Sequence, residues 1–218
     1  MKIRVIASAL AIAIAGFSTN LAGAATFGTI GPDNEALAPL GLTNPLSGYF
    51  GANLYLIGSN VTIQATVLGQ EAGYNNRFSF YGQTYSSNGL TTFENDANGV
   101  AQFLQSGLSS GLLDFWFGAN SALAALSATN GTNADNSSAS IANFFVSFLP
   151  NATATFGQSV LLFLDDGAGG TSDNHDDLVV RLDIVGGHLA PVPVPAAGLL
   201  LVGALGGLAA IRRRRQSV

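Results

Sequence analysis

The 218-residue chain contains no cysteine. Disulfide scaffolds, thiolate zinc sites, iron–sulfur clusters, thiol catalysis and lipid attachment through an N-terminal Cys are excluded with it. Histidine is nearly as scarce. His175 and His188 are the only two, a thin basis for zinc. Charged residues make up only 10% of the chain, against 48% hydrophobic ones. Acids outnumber bases 13 to 8, for a net charge of −5, and that sign excludes a basic nucleic-acid surface. The length suits one domain with appendages.

What is present is most informative at the two ends. Lys2 and Arg4 precede a 13-residue apolar stretch, Val5 to Phe17, too short to span a bilayer comfortably. Ala22-Gly23-Ala24 follows as an A-x-A cleavage site, so residues 1–24 read as a secretory signal peptide with a helical apolar core. At the other end, Pro191-Val192-Pro193-Val194-Pro195 is a stiff extended run, because proline fixes φ and lacks an N–H. Ala196 to Ile211 is 16 residues without a polar side chain, about 24 Å long as a helix, and reads as a transmembrane helix. The basic tail 212–218 opens with Arg212 to Arg215, which hold that end in the cytoplasm by the positive-inside rule.

The motif Val192-Pro193-Val194-Pro195-Ala196, the apolar helix and the arginine cluster together resemble the PEP-CTERM family of bacterial sorting signals, in its VPLPA-type variant. Val194 stands where that variant has Leu. The resemblance covers only about the last 27 residues. It implies a precursor that secretion machinery exports and the helix tethers to the inner membrane. An exosortase-like membrane enzyme then cuts near the proline motif and releases the domain to the cell surface or extracellular matrix. An uncut tail anchor is the plainer alternative.

Without its ends the chain changes character. Segment 25–195 keeps two arginines, Arg77 and Arg181, against all thirteen acids, a net charge of −11, and it has no lysine. Such a domain favours cations. Its β-branched and aromatic runs alternate with Gly/Asn/Ser/Thr clusters. Val61 to Leu68 alternates with period 2, and Phe78 and Phe80 share a face. Leu112 to Phe117, Asn143 to Leu149, Ser159 to Leu164 and Leu178 to Val185 continue the strand pattern. Residues 25–190 therefore read as one all-β domain, an antiparallel β-sandwich or jelly roll, followed by a linker at 191–195. Apolar residues at helical spacing from Val100 to Leu112 predict a short helix near 97–105, although Gly107 and Gly111 oppose it. Residues 119–140 read as a loop of small residues, and Trp116 as packing.

The densest polar cluster runs from Asp165 to Asp177 and places Asp165, Asp166, Asp173, Asp176 and Asp177, with Asn174 and three glycines, between two apolar strands. Crowded carboxylates repel unless a cation sits among them. Ca²⁺ takes six to eight hard oxygens from carboxylate, amide and backbone groups, all of which this loop supplies. Those six residues are the candidate ligands, with Glu71 reaching in from a neighbouring hairpin; a solvated acidic turn is the alternative. The closing Glu of an EF-hand is missing, and there is no repeat of a β-roll. The loop resembles an acidic Asp/Gly hairpin of secreted bacterial domains with no assigned function, carried by Asp165-Asp166, Asp176-Asp177-Leu178-Val179-Val180-Arg181 and the string Leu68 to Asn76.

His175 beside Asp176 and Asp177 invites a Ser–His–Asp reading, but it is read as an exposed loop imidazole, and His188 as solvated at the exit to the linker. No catalytic residue is assigned. Asn-x-Ser/Thr sequons at Asn60, Asn130, Asn136 and Asn151 are compatible with surface glycans. The expectation is a non-enzymatic exported protein with a calcium-stabilised β domain. The alternatives are a carbohydrate-binding module for exopolysaccharide and a carboxylate-dependent hydrolase.

Overall fold

The computed structural model describes residues 25–87, 90–95, 101–119, 126–136, 141–167 and 174–192. The signal peptide, the sorting motif from Pro193 onward, the apolar stretch 196–211, the arginine cluster and Asp173 lie outside the described residues.

The described residues form strands and turns with no helix. In chain order the strands are β1 (Thr26–Ile30), β2 (Leu46–Phe50), β3 (Asn53–Ala72), β4 (Asn76–Phe80), β5 (Gln83–Ser86) and β6 (Leu90–Asn95), then β7 (Ala101–Leu112), β8 (Phe115–Ala119), β9 (Ser127–Thr129), β10 (Asn143–Leu149), β11 (Ser159–Asp165) and β12 (Leu178–Val192). They make two sheets. The larger runs β1-β2-β10-β11-β12-β3-β6, with β7 pairing the remaining length of β3; the smaller runs β5-β4-β8-β9. All strand pairs are antiparallel. The all-β expectation holds, with the two sheets facing each other as in a sandwich.

The uninterrupted apolar runs of β10 and β11 follow from burial on both faces, which removes the need for a polar alternate position. Phe144, Val146 and Phe148 of β10 and Val160, Leu162 and Leu164 of β11 point into the core between the sheets. There they meet Phe78, Phe80, Phe115 and Phe117 from the smaller sheet. Ring centroids of Phe78 and Phe117 lie 5.0 Å apart, and those of Phe115 and Phe144 5.3 Å apart. The intervening Phe145, Leu161 and Phe163 pack into a second cluster on the other face. The β1–β2 connection covers that face and contributes the fully buried Ala36 and Leu37. Each buried Phe or Leu contributes roughly 1.5–3 kcal/mol relative to exposure.

The structure corrects several local expectations. Residues 101–105 are strand, not helix: β7 pairs along β3, with Phe103 opposite Ala65 and Gln105 opposite Ile63. The apolar spacing did not mark a buried helical stripe, because Leu104 is 61% exposed. Gly107, at φ +75°, breaks the stretch where a helix would need αR geometry. The run Leu112 to Phe117 is two strands. Leu113 and Asp114 carry the chain from the larger sheet into the smaller. Strand β9 lies within the predicted 119–140 loop. The segment Gly186-Gly187-His188 is no exit to a linker but part of β12, which pairs with β3 as far as Pro191–Leu54 and Val192–Asn53.

Candidate metal centre

Antiparallel pairing gathers the ends of β3 and β11 and the starts of β10 and β12 at one end of the larger sheet. Asn143 pairs with Asp165 there, and Leu178 with Leu164. Residues 165–167 at the end of β11 and 174–177 before β12 lie at this end, and Glu71 and Asn76 approach from β3 and β4. The structure thus brings together Asp165, Asp166, Asp176, Asp177 and Glu71. Asn174 lines a depression of about 180 Å³ with Glu71, Asp166 and Asp177.

The carboxylates form two overlapping trios. Glu71, Asp176 and Asp177 each place an oxygen within 4.8 Å of the others, and so do Asp165, Asp166 and Asp177. Two ligands on opposite sides of one Ca²⁺ lie about 4.6–5.2 Å apart, so each trio fits around a single ion. Asp165, Asp166 and Asp176 are buried.

A frame of asparagines and backbone amides holds the acids in place. Asn34 Nδ2 donates to the carbonyls of Asn174 at 2.6 Å and His175 at 3.0 Å. Asn34 Oδ1 accepts the N–H groups of Ala36 and Leu37, the turn-forming habit of Asn. The Glu35 N–H donates to Asp176 Oδ2 at 2.5 Å. The Asp166 N–H donates to Asp177 Oδ2 at 2.7 Å, and Gly167 N–H to Asp165 Oδ1 at 2.8 Å. Asn76 Nδ2 lies 3.3 Å from Asp166 Oδ2, while Asn76 Oδ1 is buried and accepts no hydrogen bond. The buried Oδ1 of Asp176 takes no N–H, and the Asp176 carboxyl shares a side-chain hydrogen bond with Glu71.

Crowding raises the proton affinity of this group. The Asp177 carboxyl is pushed up to about 9 by burial first and by the Asp166 carboxylate next, with the Asp166 N–H opposing. Asp176 is pushed up to about 7 by burial, against the Glu35 N–H and with the Glu71 charge adding. Glu71 is raised by burial and by Glu35. Burial disfavours the charged form of each of these carboxylates, and a bound cation would favour it.

His175 is not an exposed imidazole, as its loop position suggested. It has no exposed surface, and its ring packs edge-on against Phe50 at 5.3 Å and Phe145 at 6.2 Å. Its Nε2 lies 2.8 Å from Asn143 Oδ1, so the ring anchors the loop to the sheet. A serine nucleophile finds no support either. Gly107-Leu108-Ser109-Ser110-Gly111 spells G-x-S-x-G but lies inside β7, where its central Ser109 pairs with Ser59 of β3, not on a strand-to-helix elbow. His188 is half-buried in β12, edge-on to the exposed Phe156 at 5.6 Å. Of the four sequons, Asn130 is unavailable to a glycan: it is buried, with its amide bonded to Leu54 N–H and to the carbonyls of Leu54 and Leu113.

The chain matches no protein-family model, no curated protein and no solved structure. Its site is therefore read from its own geometry. Sequence reasoning identified the acids but missed Asn34, Asn76 and Asn143. The one available signal was the turn string Pro32-Asp33-Asn34-Glu35; the other two asparagines open strands and look ordinary in an Asn-rich chain.

Proposed function

We propose that the protein is an exported, non-enzymatic component of the bacterial surface or extracellular matrix, whose β domain is held together by Ca²⁺ at its acidic end. The observation that carries the calcium reading is that Glu71 of β3 and Asp165, Asp166, Asp176 and Asp177, at the end of β11 and just before β12, form two overlapping trios of oxygens at one end of the larger sheet. The donor set is all hard oxygen, and the neighbouring imidazole is bonded to Asn143, a chemistry suited to Ca²⁺ and not to zinc. Export and sorting rest on the two ends of the sequence: a signal helix at 1–24, the motif Val192 to Ala196, a transmembrane helix at 196–211 and the terminal arginines.

Thermal melting of the purified protein with Ca²⁺, Mg²⁺ or EDTA tests the calcium reading. At 100 times a Kd of roughly 10⁻⁴–10⁻³ M, Ca²⁺ stabilises by about 2.7 kcal/mol and raises the melting temperature by several degrees. Asp166→Asn combined with Asp176→Asn removes the response. An equal shift with Mg²⁺, or a full response in the double variant, returns the loop to a solvated acidic turn.

A second reading has one observation in its favour. The 62%-exposed Phe156 and His188 line an open groove of about 610 Å³ with the amides of Asn151 and Gln158. An aromatic face with adjacent amides suits a sugar ring, so exopolysaccharide binding is the alternative that this groove supports.

A further inference from the structure

We propose that the outer face of the smaller sheet binds an acidic saccharide, with Trp116 stacking on a sugar ring and Arg77 pairing with a sugar carboxylate. This inference is independent of the calcium reading and of the groove beside Phe156.

Strand alternation builds the face. Phe78 and Phe80 of β4, Phe115 and Phe117 of β8 and Ala128 of β9 turn into the core, and Tyr85 of β5 packs against it. Arg77, Trp116 and Gly118 therefore turn outward, flanked by Thr84 and Ser86 of β5 and by Ser127 and Thr129 of β9. Those four hydroxyl residues are exposed. None of these strand positions carries a carboxylate, although segment 25–195 sets thirteen acids against two arginines.

Trp116 reads from the sequence as packing, yet it belongs to neither core cluster. It is half-buried, and its indole lies across Gly118: a Cβ there would stand 2.8 Å from Cζ3 and 3.4 Å from Cε3. Among the described residues the ring meets no other aromatic ring and its N–H donates to no group. An indole laid along a sheet with its N–H open presents an apolar surface beside a donor, which matches the C–H face and hydroxyls of a sugar ring.

Arg77 opposes Gly118 directly in the β4–β8 ladder, so guanidinium and indole start from neighbouring positions. Arg181 pairs with Asp183 at 2.7 Å, whereas Arg77 makes no ion pair with any described residue. The Nε of Arg77 is buried and has no hydrogen-bond partner. A buried donor without an acceptor is costly, and the planar fork of a guanidinium matches a carboxylate. A ligand carboxylate supplies that acceptor, which a neutral sugar lacks. Stacking beside a carboxylate fork selects a saccharide of the uronic-acid class.

Trp116 is the chain's single tryptophan, so intrinsic tryptophan fluorescence reports this face alone. The full chain in detergent is titrated with oligogalacturonate, in EDTA so that Ca²⁺ cannot bridge the ligand to the acidic end. A saturable fluorescence change is expected, weakened by added salt. A neutral cello-oligosaccharide binds at least about tenfold more weakly. In calorimetry, Arg77→Gln brings oligogalacturonate down to the neutral ligand's affinity without changing the melting temperature. Trp116→Ala abolishes binding, Trp116→Phe retains part of it, and Phe156→Ala leaves it unchanged. Equal affinity for the two ligands, full binding by Arg77→Gln, or no binding at all overturns the inference. Loss of binding in Phe156→Ala with retention in Trp116→Ala also overturns it and assigns the saccharide to the groove. None of these outcomes touches the calcium reading, which is scored on the Ca²⁺ response alone.

Discussion

Asp177 shows how a single side chain couples this fold to its medium. Its carboxyl is held near 9 and that of Asp176 near 7 when no cation is present, both above the ordinary value of 3.8. The folded state then binds protons that the unfolded chain has already released, so stability falls as pH rises. The contribution is complete below about pH 4 and is lost progressively toward pH 9. In EDTA the melting temperature is therefore expected to decline from pH 5 to pH 9. Saturating Ca²⁺ flattens that decline, because the ions replace the protons. A calcium-free melting temperature that rises over this range contradicts the burial of these acids. Gly167 is a second decisive position. Its φ is +69°, and a Cβ there would sit 2.8 Å from the backbone of Ile141 and Ala142. Gly167→Ala is expected to cost at least about 1–3 kcal/mol and to weaken Ca²⁺ binding, read by denaturant titration and calorimetry.

At the scale of elements, asparagine side chains join what the strands leave open. Asn133 donates to the carbonyls of Ala52 and Phe144 and accepts the Phe144 N–H, tying a connection to β10. Asn133→Ala leaves three buried backbone groups without partners, so a loss of at least about 2 kcal/mol is expected in denaturant titrations. The exposed Asn75→Ala should stay within about 0.5 kcal/mol. The strands were largely legible in the sequence, because Phe78 and Phe80, or the run Asn143 to Leu149, carry a local pattern that tertiary contacts only reinforce. Strand β7 was not. Its helical spacing arises because the exposed Leu104 and Leu112 fall in with Phe103 and Leu108, which pack against the core, and only pairing with β3 decides its conformation. The acids were visible as a run, but Glu71 is nearly a hundred residues from them. The asparagine frame was invisible, since a buried Asn and a turn Asn are the same letter until the chain folds.

For the whole molecule, export and sorting are open to direct measurement. Intact mass of the released protein is expected to show a start at Ala25 and an end near Pro195. A released species still carrying Arg212 to Arg215 would remove the sorting reading. Replacing Pro193 and Pro195 with Ala is expected to leave the melting temperature unchanged, since both follow the last paired residue, Val192, and to retain the precursor in the membrane. Strand β12 adds a consequence. It begins beside the acidic end and runs 15 residues to Val192, a span of roughly 50 Å at about 3.3 Å per residue. In the sorting reading proposed above, a precursor tethered through 196–211 would carry its acids at the end of β12 away from the tether, and calcium of the outside medium is expected to reach them before the tether is cut.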